Sequence, residues 1–135
     1  MNMDNRKKWK TFILVTVSPL FLLFVLNGII SDWYVEQKLG RGYNLYYRSS
    51  GESIIMFGGS YEVINEAVYS CDHDRNWIII KTKSKKYYII DKHIPFSSDN
   101  PSKSIIGPLD SFSFYTIKAE KEIPLGLRTI PQNDK

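Results

Sequence analysis

The residue types best suited to chemistry gather at one place. Asp72-His73-Asp74 packs two carboxylates and an imidazole into three positions, and Asp91 and His93 follow one hairpin's length later. A carboxylate beside an imidazole is material for acid/base catalysis, and the same groups can ligate a divalent metal. The spacing opposes both uses. Neighbouring residues on a turn point apart, and Asp-x-Asp-x-Asn over 72–76 favours a turn in which an Asp side chain accepts from its own backbone. The run also opens like a Ca²⁺ loop, but Trp77 stands where that loop requires Gly and Lys83 where it requires Glu. No G-x-S-x-G, phosphate loop, H-E-x-x-H or metal-spaced cysteine pair occurs in the sequence. The expectation is a non-catalytic chain with no metal and no cofactor. The alternative is a small envelope hydrolase or metal-dependent enzyme using the Asp72-His73-Asp74 turn.

Two further groups are suited to binding. Tyr43, Tyr46 and Tyr47 fall on one expected strand, and Lys83, Lys85 and Lys86 sit at the tip of an expected hairpin. Exposed, they would form an interaction surface, with aromatic faces for a protein or envelope polymer and ammonium groups for an acidic partner. Cross-strand core packing is the competing use of the tyrosines, and a charged hairpin that blunts edge aggregation is the competing use of the lysines. His93, beside Pro95 in a loop, reads as an exposed polar residue. The lone Cys71 closes no intramolecular bridge, so the domain must be stable through its core, with the thiol a small buried residue at a strand end.

The elements that position these residues are mainly strands. Apolar residues make up 43% of the chain and charged residues 24%, values that exclude wholesale disorder. Nine Tyr, seven Phe and three Trp favour pleated surfaces over helices. Tyr43–Arg48 and Ser53–Phe57 read as strands separated by Ser49-Ser50-Gly51-Glu52, and Tyr61–Ile64 and Ala67–Cys71 read as strands beyond Gly58-Gly59-Ser60. Trp77–Thr82 holds three consecutive isoleucines, the pattern of a central strand covered on both faces, and pairs in a hairpin with Tyr87–Asp91. Residues 92–104 are rich in Pro, Ser, Asp and Asn and read as a long exposed loop, with a short strand at Ile105-Ile106. Asp110 suits an N-cap and Leu109 a hydrophobic staple to Phe114, which predicts a helix over Ser111–Lys121, stopped by Pro124. The fold class expected is α+β, mainly β: an N-terminal transmembrane helix, then a small antiparallel β-sheet domain, sandwich or open barrel, with one C-terminal helix.

Placement follows from the N-terminus. Thr11–Ile30 is twenty residues without a charge, and at about 1.5 Å per residue such a helix crosses a hydrocarbon layer of roughly 30 Å. Arg6, Lys7, Lys8 and Lys10 precede it against one acid, Asp4, so the positive-inside bias keeps the N-terminus cytoplasmic and sends the remainder across the membrane. Trp9 and the Trp33-Tyr34 pair would lie about 36 Å apart on a continuous helix, a spacing that suits interfacial anchors. No A-x-A pattern ends the run, which favours a retained single-pass anchor in the cell membrane; cleavage after Gly28 or Ser31, giving a secreted protein, is the alternative. Of the formal net charge of +4, +3 lies before Thr11 and +1 after Ile30, so the basicity reports topology and nucleic-acid binding loses its support. The resulting organisation is 1–10 cytoplasmic basic segment, 11–30 membrane segment, 31–42 juxtamembrane linker, 43–123 β-rich exported domain and 124–135 flexible tail.

Several short runs carry a family likeness: Leu39-Gly40-Arg41-Gly42-Tyr43-Asn44-Leu45, Tyr69-Ser70-Cys71-Asp72 ahead of Trp77-Ile78-Ile79-Ile80-Lys81, Tyr87–Lys92, and Ile106-Gly107-Pro108-Leu109 with Phe112. Over Asp32 to Glu122 the chain resembles the small exported bacterial proteins grouped as domain of unknown function 3997, many of which look like lipoproteins. This chain departs from that pattern in having no lipid-attachment Cys after its hydrophobic run. The resemblance implies an exported module and supplies no catalytic residues. The partners expected are the lipid bilayer through 11–30 and an envelope protein or polymer.

Overall fold

The computed structural model describes residues 33–130. The expected membrane segment 11–30, the flanking Arg6, Lys7, Lys8, Lys10 and Trp9, and the side chains of Trp33 and Tyr34 lie outside the described residues. Among the described residues no helix is long and apolar enough to cross a membrane.

Nine strands form a single antiparallel sheet: β1 (Trp33–Gly40), β2 (Tyr43–Arg48), β3 (Ser53–Phe57), β4 (Tyr61–Glu62), β5 (Val68–His73), β6 (Trp77–Thr82), β7 (Tyr87–Asp91), β8 (Ile105–Leu109) and β9 (Arg128–Thr129). The main path runs β1-β2-β3-β5-β6-β7-β8, with β4 added to β3 and β9 to β5. The helix α1 (Ser111–Glu120) follows β8.

The isoleucine run explains the layering. Along a strand, alternate side chains face opposite sides. Ile78 and Ile80 of β6 therefore pack with Tyr88 and Ile90 of β7 into a core that also takes Leu39, Leu45, Ile55 and Val68. Ile79 and Ile89, paired across β6 and β7, face the other way onto Phe114, Ile123 and Leu125. Both faces of the central hairpin are thus covered, one by the strands that curl over it and the other by α1 and the chain behind it. Curling is fixed by polar contacts across sequence: the Lys92 ammonium, after β7, reaches the Leu39 carbonyl at the end of β1.

Helix α1 starts where its cap chemistry predicts. The Asp110 carboxylate accepts from the Ser113 backbone N–H at 2.8 Å, worth ~1 kcal/mol. Phe114 is fully buried, and Leu109 packs against the same cluster. The helix ends at a left-handed Glu122 (φ 51°), with the Ile123 N–H returning to the Lys118 carbonyl at 3.0 Å.

Two parts of the expected organisation are corrected. Within the 31–42 linker, Trp33–Gly40 is a strand paired with β2, and Leu39 is fully buried; a two-residue hairpin after it makes pairing local and cheap. Within the 124–135 tail, Leu125 and Ile130 are buried and β9 pairs with β5, because those apolar side chains finish covering the two sheet faces. The 92–104 loop is exposed along most of its length, as expected, but its two ends are held down: Lys92 and Ser104 are 3% and 1% exposed, and a 3₁₀ turn occupies Pro101–Lys103.

Candidate binding cleft

The β1–β2 connection sets one side of a cleft. Arg41 (φ 51°) and Gly42 (φ 86°) are both left-handed, as a two-residue type I′ hairpin turn requires. Arg is a poor choice for that conformation and Asn a better one. The turn presents the Arg41 guanidinium to the chain after β7, where it donates to the Lys92 carbonyl at 2.7 Å. Gly42 is needed for a second reason: a Cβ there would lie 2.9 Å from the Phe57 ring.

Phe57, at the end of β3, meets Phe96 at 4.6 Å between ring centroids, and Phe96 meets Tyr61 at 5.1 Å. Tyr43 closes the wall edge-on to Phe57 at 5.1 Å. A cavity of about 270 Å³ lies between Arg41, Tyr43, Phe57, Lys92, His93 and Phe96. A more open groove of about 540 Å³ continues along Ser60, Tyr61, Ser97 and Ser98 and shares Phe57 and Phe96 as its wall. No Asp or Glu side chain lines either one.

Two polar groups in the cavity wall are unusual. Lys92 is buried, and its ammonium donates to the backbone carbonyls of Leu39 and Asp74. Burial pulls its pKa below the usual lysine value, Asp74 opposes that shift and Arg41 adds to it. The Tyr43 hydroxyl is buried without a hydrogen bond. Burial raises its pKa, against a smaller lowering by the nearby Ser104 hydroxyl, which lies outside bonding geometry.

The Asp72-His73-Asp74 run is built differently from a catalytic site. Asp74 accepts from the N–H groups of Asn76 and Trp77 at 2.7 and 2.8 Å, so its carboxylate closes the β5–β6 turn. Asp72 accepts from the His73 N–H at 2.9 Å and lies 3.8 Å from the exposed Arg128. The Gln37 amide donates to His73 Nε2 at 3.0 Å, which requires a neutral ring. Burial lowers the His73 pKa, with Lys92 adding to the shift and Asp72 and Asp74 opposing it. A small cavity of about 180 Å³ touches His73, Cys71 and Gln37, while His93 lines the separate aromatic cavity and pairs with Asp91 at 3.0 Å. Among the described residues no group of three or more His, Cys, Asp or Glu gathers to hold a metal.

The expected interaction surface is redistributed. Tyr43 and Tyr47 are 2% and 8% exposed, a correction to their reading as outward aromatics: β2 turns its odd positions to the core, and only Tyr46, half-buried, faces away. Tyr43 nevertheless reaches the cleft wall from within. Lys83 and Lys85 are exposed at the β6–β7 tip. Lys86 is exposed there too and is paired with Glu66 at 3.0 Å. The Glu66 carboxylate also accepts from Tyr88 at 3.0 Å and from the Ser84 hydroxyl, and its pKa falls to about 2, with the Ser84 bond the largest cause.

Sequence reasoning passed over Arg41, Phe57, Tyr61, Phe96 and Lys92 as site residues. Two signals were present: an Arg held between glycines in Gly40-Arg41-Gly42, and Phe96 as the single large aromatic in a loop rich in Pro, Ser, Asp and Asn. No family model matches the chain, and neither a curated protein nor a solved structure matches it.

Proposed function

We propose that the chain is a non-catalytic, envelope-binding module, held in the cell membrane by residues 11–30 with its N-terminus cytoplasmic and its β domain outside. The anchor rests on an uncharged twenty-residue run behind four basic residues. The exported placement also fits the resemblance to domain of unknown function 3997. The observation that carries the binding role is the aromatic cleft. Phe57, Tyr61 and Phe96 form an open wall beside Arg41, a combination suited to gripping a flat, polar ligand. The acid/base material of the chain is committed elsewhere, with Asp74 closing its turn and His73 accepting from Gln37.

The test is co-sedimentation of the detergent-solubilised full-length protein with insoluble envelope polymer prepared from bacterial cells. The wild type is expected to pellet with the polymer. Phe96→Ala and Ser97→Trp are expected to remain in solution, the second because a large ring fills the groove from an exposed position. Equal pelleting of all three, with unchanged melting, would remove the cleft from the account. Placement is tested by protease treatment of spheroplasts: an intact-length protein cut from outside supports the anchor, and a protein protected until lysis contradicts it.

A further inference from the structure

We infer that the cleft takes an acidic sugar residue of an envelope polymer, with the sugar carboxylate at Arg41 and the ring face against Phe96 and Phe57. This rests on the envelope-binding reading and adds the charge and shape of the ligand.

Charge is the first argument. The cavity is lined by Arg41 and the buried Lys92 and by no acid, while the His93 ring beside them is already paired with Asp91 at 3.0 Å. Lys92 is spent on two backbone carbonyls, so it contributes positive potential without competing for the ligand. Arg41 places one N–H on the Lys92 carbonyl. That bond steadies the planar guanidinium and leaves its outer edge to meet a carboxylate through two parallel hydrogen bonds. The strained left-handed conformation of Arg41, at a turn where Asn or Gly is the easier residue, is in keeping with a side chain retained for its guanidinium.

Shape is the second. Phe57 and Phe96 pack on each other with centroids 4.6 Å apart and a tilt of 36°, so each leaves one half-buried side to line the shallow cavity and groove. Such a wall suits the C–H face of a pyranose, which needs a flat aromatic partner and leaves its hydroxyl rim in water. Ser60, Ser97 and Ser98 line the continuation of the groove, where the next residues of a polymer would find hydroxyl partners. A polyphosphate chain or nucleic acid is a poorer fit, because such ligands reward rows of cations along a backbone and this groove carries its cations at one end.

The experiment is a calorimetric titration of detergent-solubilised full-length protein with three defined probes: a uronic-acid oligosaccharide, the same oligosaccharide with its carboxyl groups reduced to alcohols, and a glycerol-phosphate oligomer. Wild type is expected to bind the acidic sugar about tenfold or more tightly than the reduced one. Arg41→Asn, which suits a left-handed turn and leaves folding intact, is expected to abolish that preference. Equal affinity for acidic and reduced sugars would overturn the anionic inference while leaving glycan binding in place. Retained preference in Arg41→Asn would also overturn it. Tighter binding of the glycerol-phosphate oligomer would move the ligand class to phosphodiesters. Failure of every probe to bind the wild type would overturn the envelope-polymer reading itself.

Discussion

Lys92→Met tests the tie that curls the sheet. The ammonium bonds the Leu39 carbonyl at the end of β1 and the Asp74 carbonyl in the β5–β6 turn, while the Lys92 backbone N–H donates to Asn76 O at 2.8 Å. Methionine keeps most of the alkyl volume, so no large cavity forms and the change is chiefly polar. Hydrogen bonds from a charged donor contribute about 1.5–3 kcal/mol each, so losing two removes roughly 3–6 kcal/mol. Part of that is returned, because the variant no longer buries an ammonium whose desolvation already depresses its pKa. The net loss is about 2–4 kcal/mol. For a domain of about 100 residues, each 1 kcal/mol moves the melting midpoint by about 4–8 °C, so a fall of roughly 8–32 °C is expected in thermal unfolding of the detergent-solubilised protein. A second readout separates this from generic damage. The Lys92 charge helps hold the His73 pKa down, so in Lys92→Met the His73 ring should titrate closer to 6.5 in NMR. An unchanged midpoint together with an unchanged His73 titration would refute the assigned role.

Three other outcomes are expected. Ile79→Asp should unfold the domain, because Ile79 is fully buried in the central strand and an unpaired buried charge costs several kcal/mol, comparable to the whole stability; a variant with native melting would contradict the two-sided core. Gly107→Ala should lose about 2–3 kcal/mol in denaturant unfolding, since Gly107 has φ 141° and an added Cβ would lie 2.6 Å from the Tyr88 ring and 2.8 Å from the Tyr87 carbonyl. Glu66 has a folded pKa of about 2 against an ordinary 4.5, so the unfolded chain binds the proton first as pH falls. Its stabilisation is present above pH 4.5 and lost as pH falls toward 2. Glu66→Gln should therefore flatten the stability profile in that window. An unaltered slope would show that the Ser84-Lys86-Tyr88 cluster adds nothing.

What the sequence discloses depends on how local the determining physics is. The Trp77–Thr82 and Tyr87–Asp91 strands are visible because three isoleucines and alternating apolar positions dictate a buried strand without outside help. Asp110 and Leu109 mark α1 because capping acts within a few residues. Strand β1 is hidden because its sequence, WYVEQKLG, has weak alternation and gains stability only by pairing with β2. Ile130 is hidden for a similar reason, since it is buried only when the tail returns to β5. Lys92 inverts a good rule: lysine is rarely buried, and this one is buried because two carbonyls from distant parts of the chain converge on it. The cleft is the least legible feature, because Phe57 and Tyr61, partners across the β3–β4 hairpin, meet a Phe96 that comes from the loop after β7. The tyrosines of β2 were visible as aromatic material, but a strand's two faces look alike until its neighbours are known.

Photo-cross-linking in intact cells decides whether the cleft is the binding surface. A photoreactive residue is placed at Ser97, on the groove, or at Lys85, at the exposed hairpin tip. Conjugation to an envelope component is predicted from position 97 and not from position 85, and adding Arg41→Asn should reduce it. Conjugation from position 85 alone would contradict the claim and return the interaction surface to the lysine hairpin.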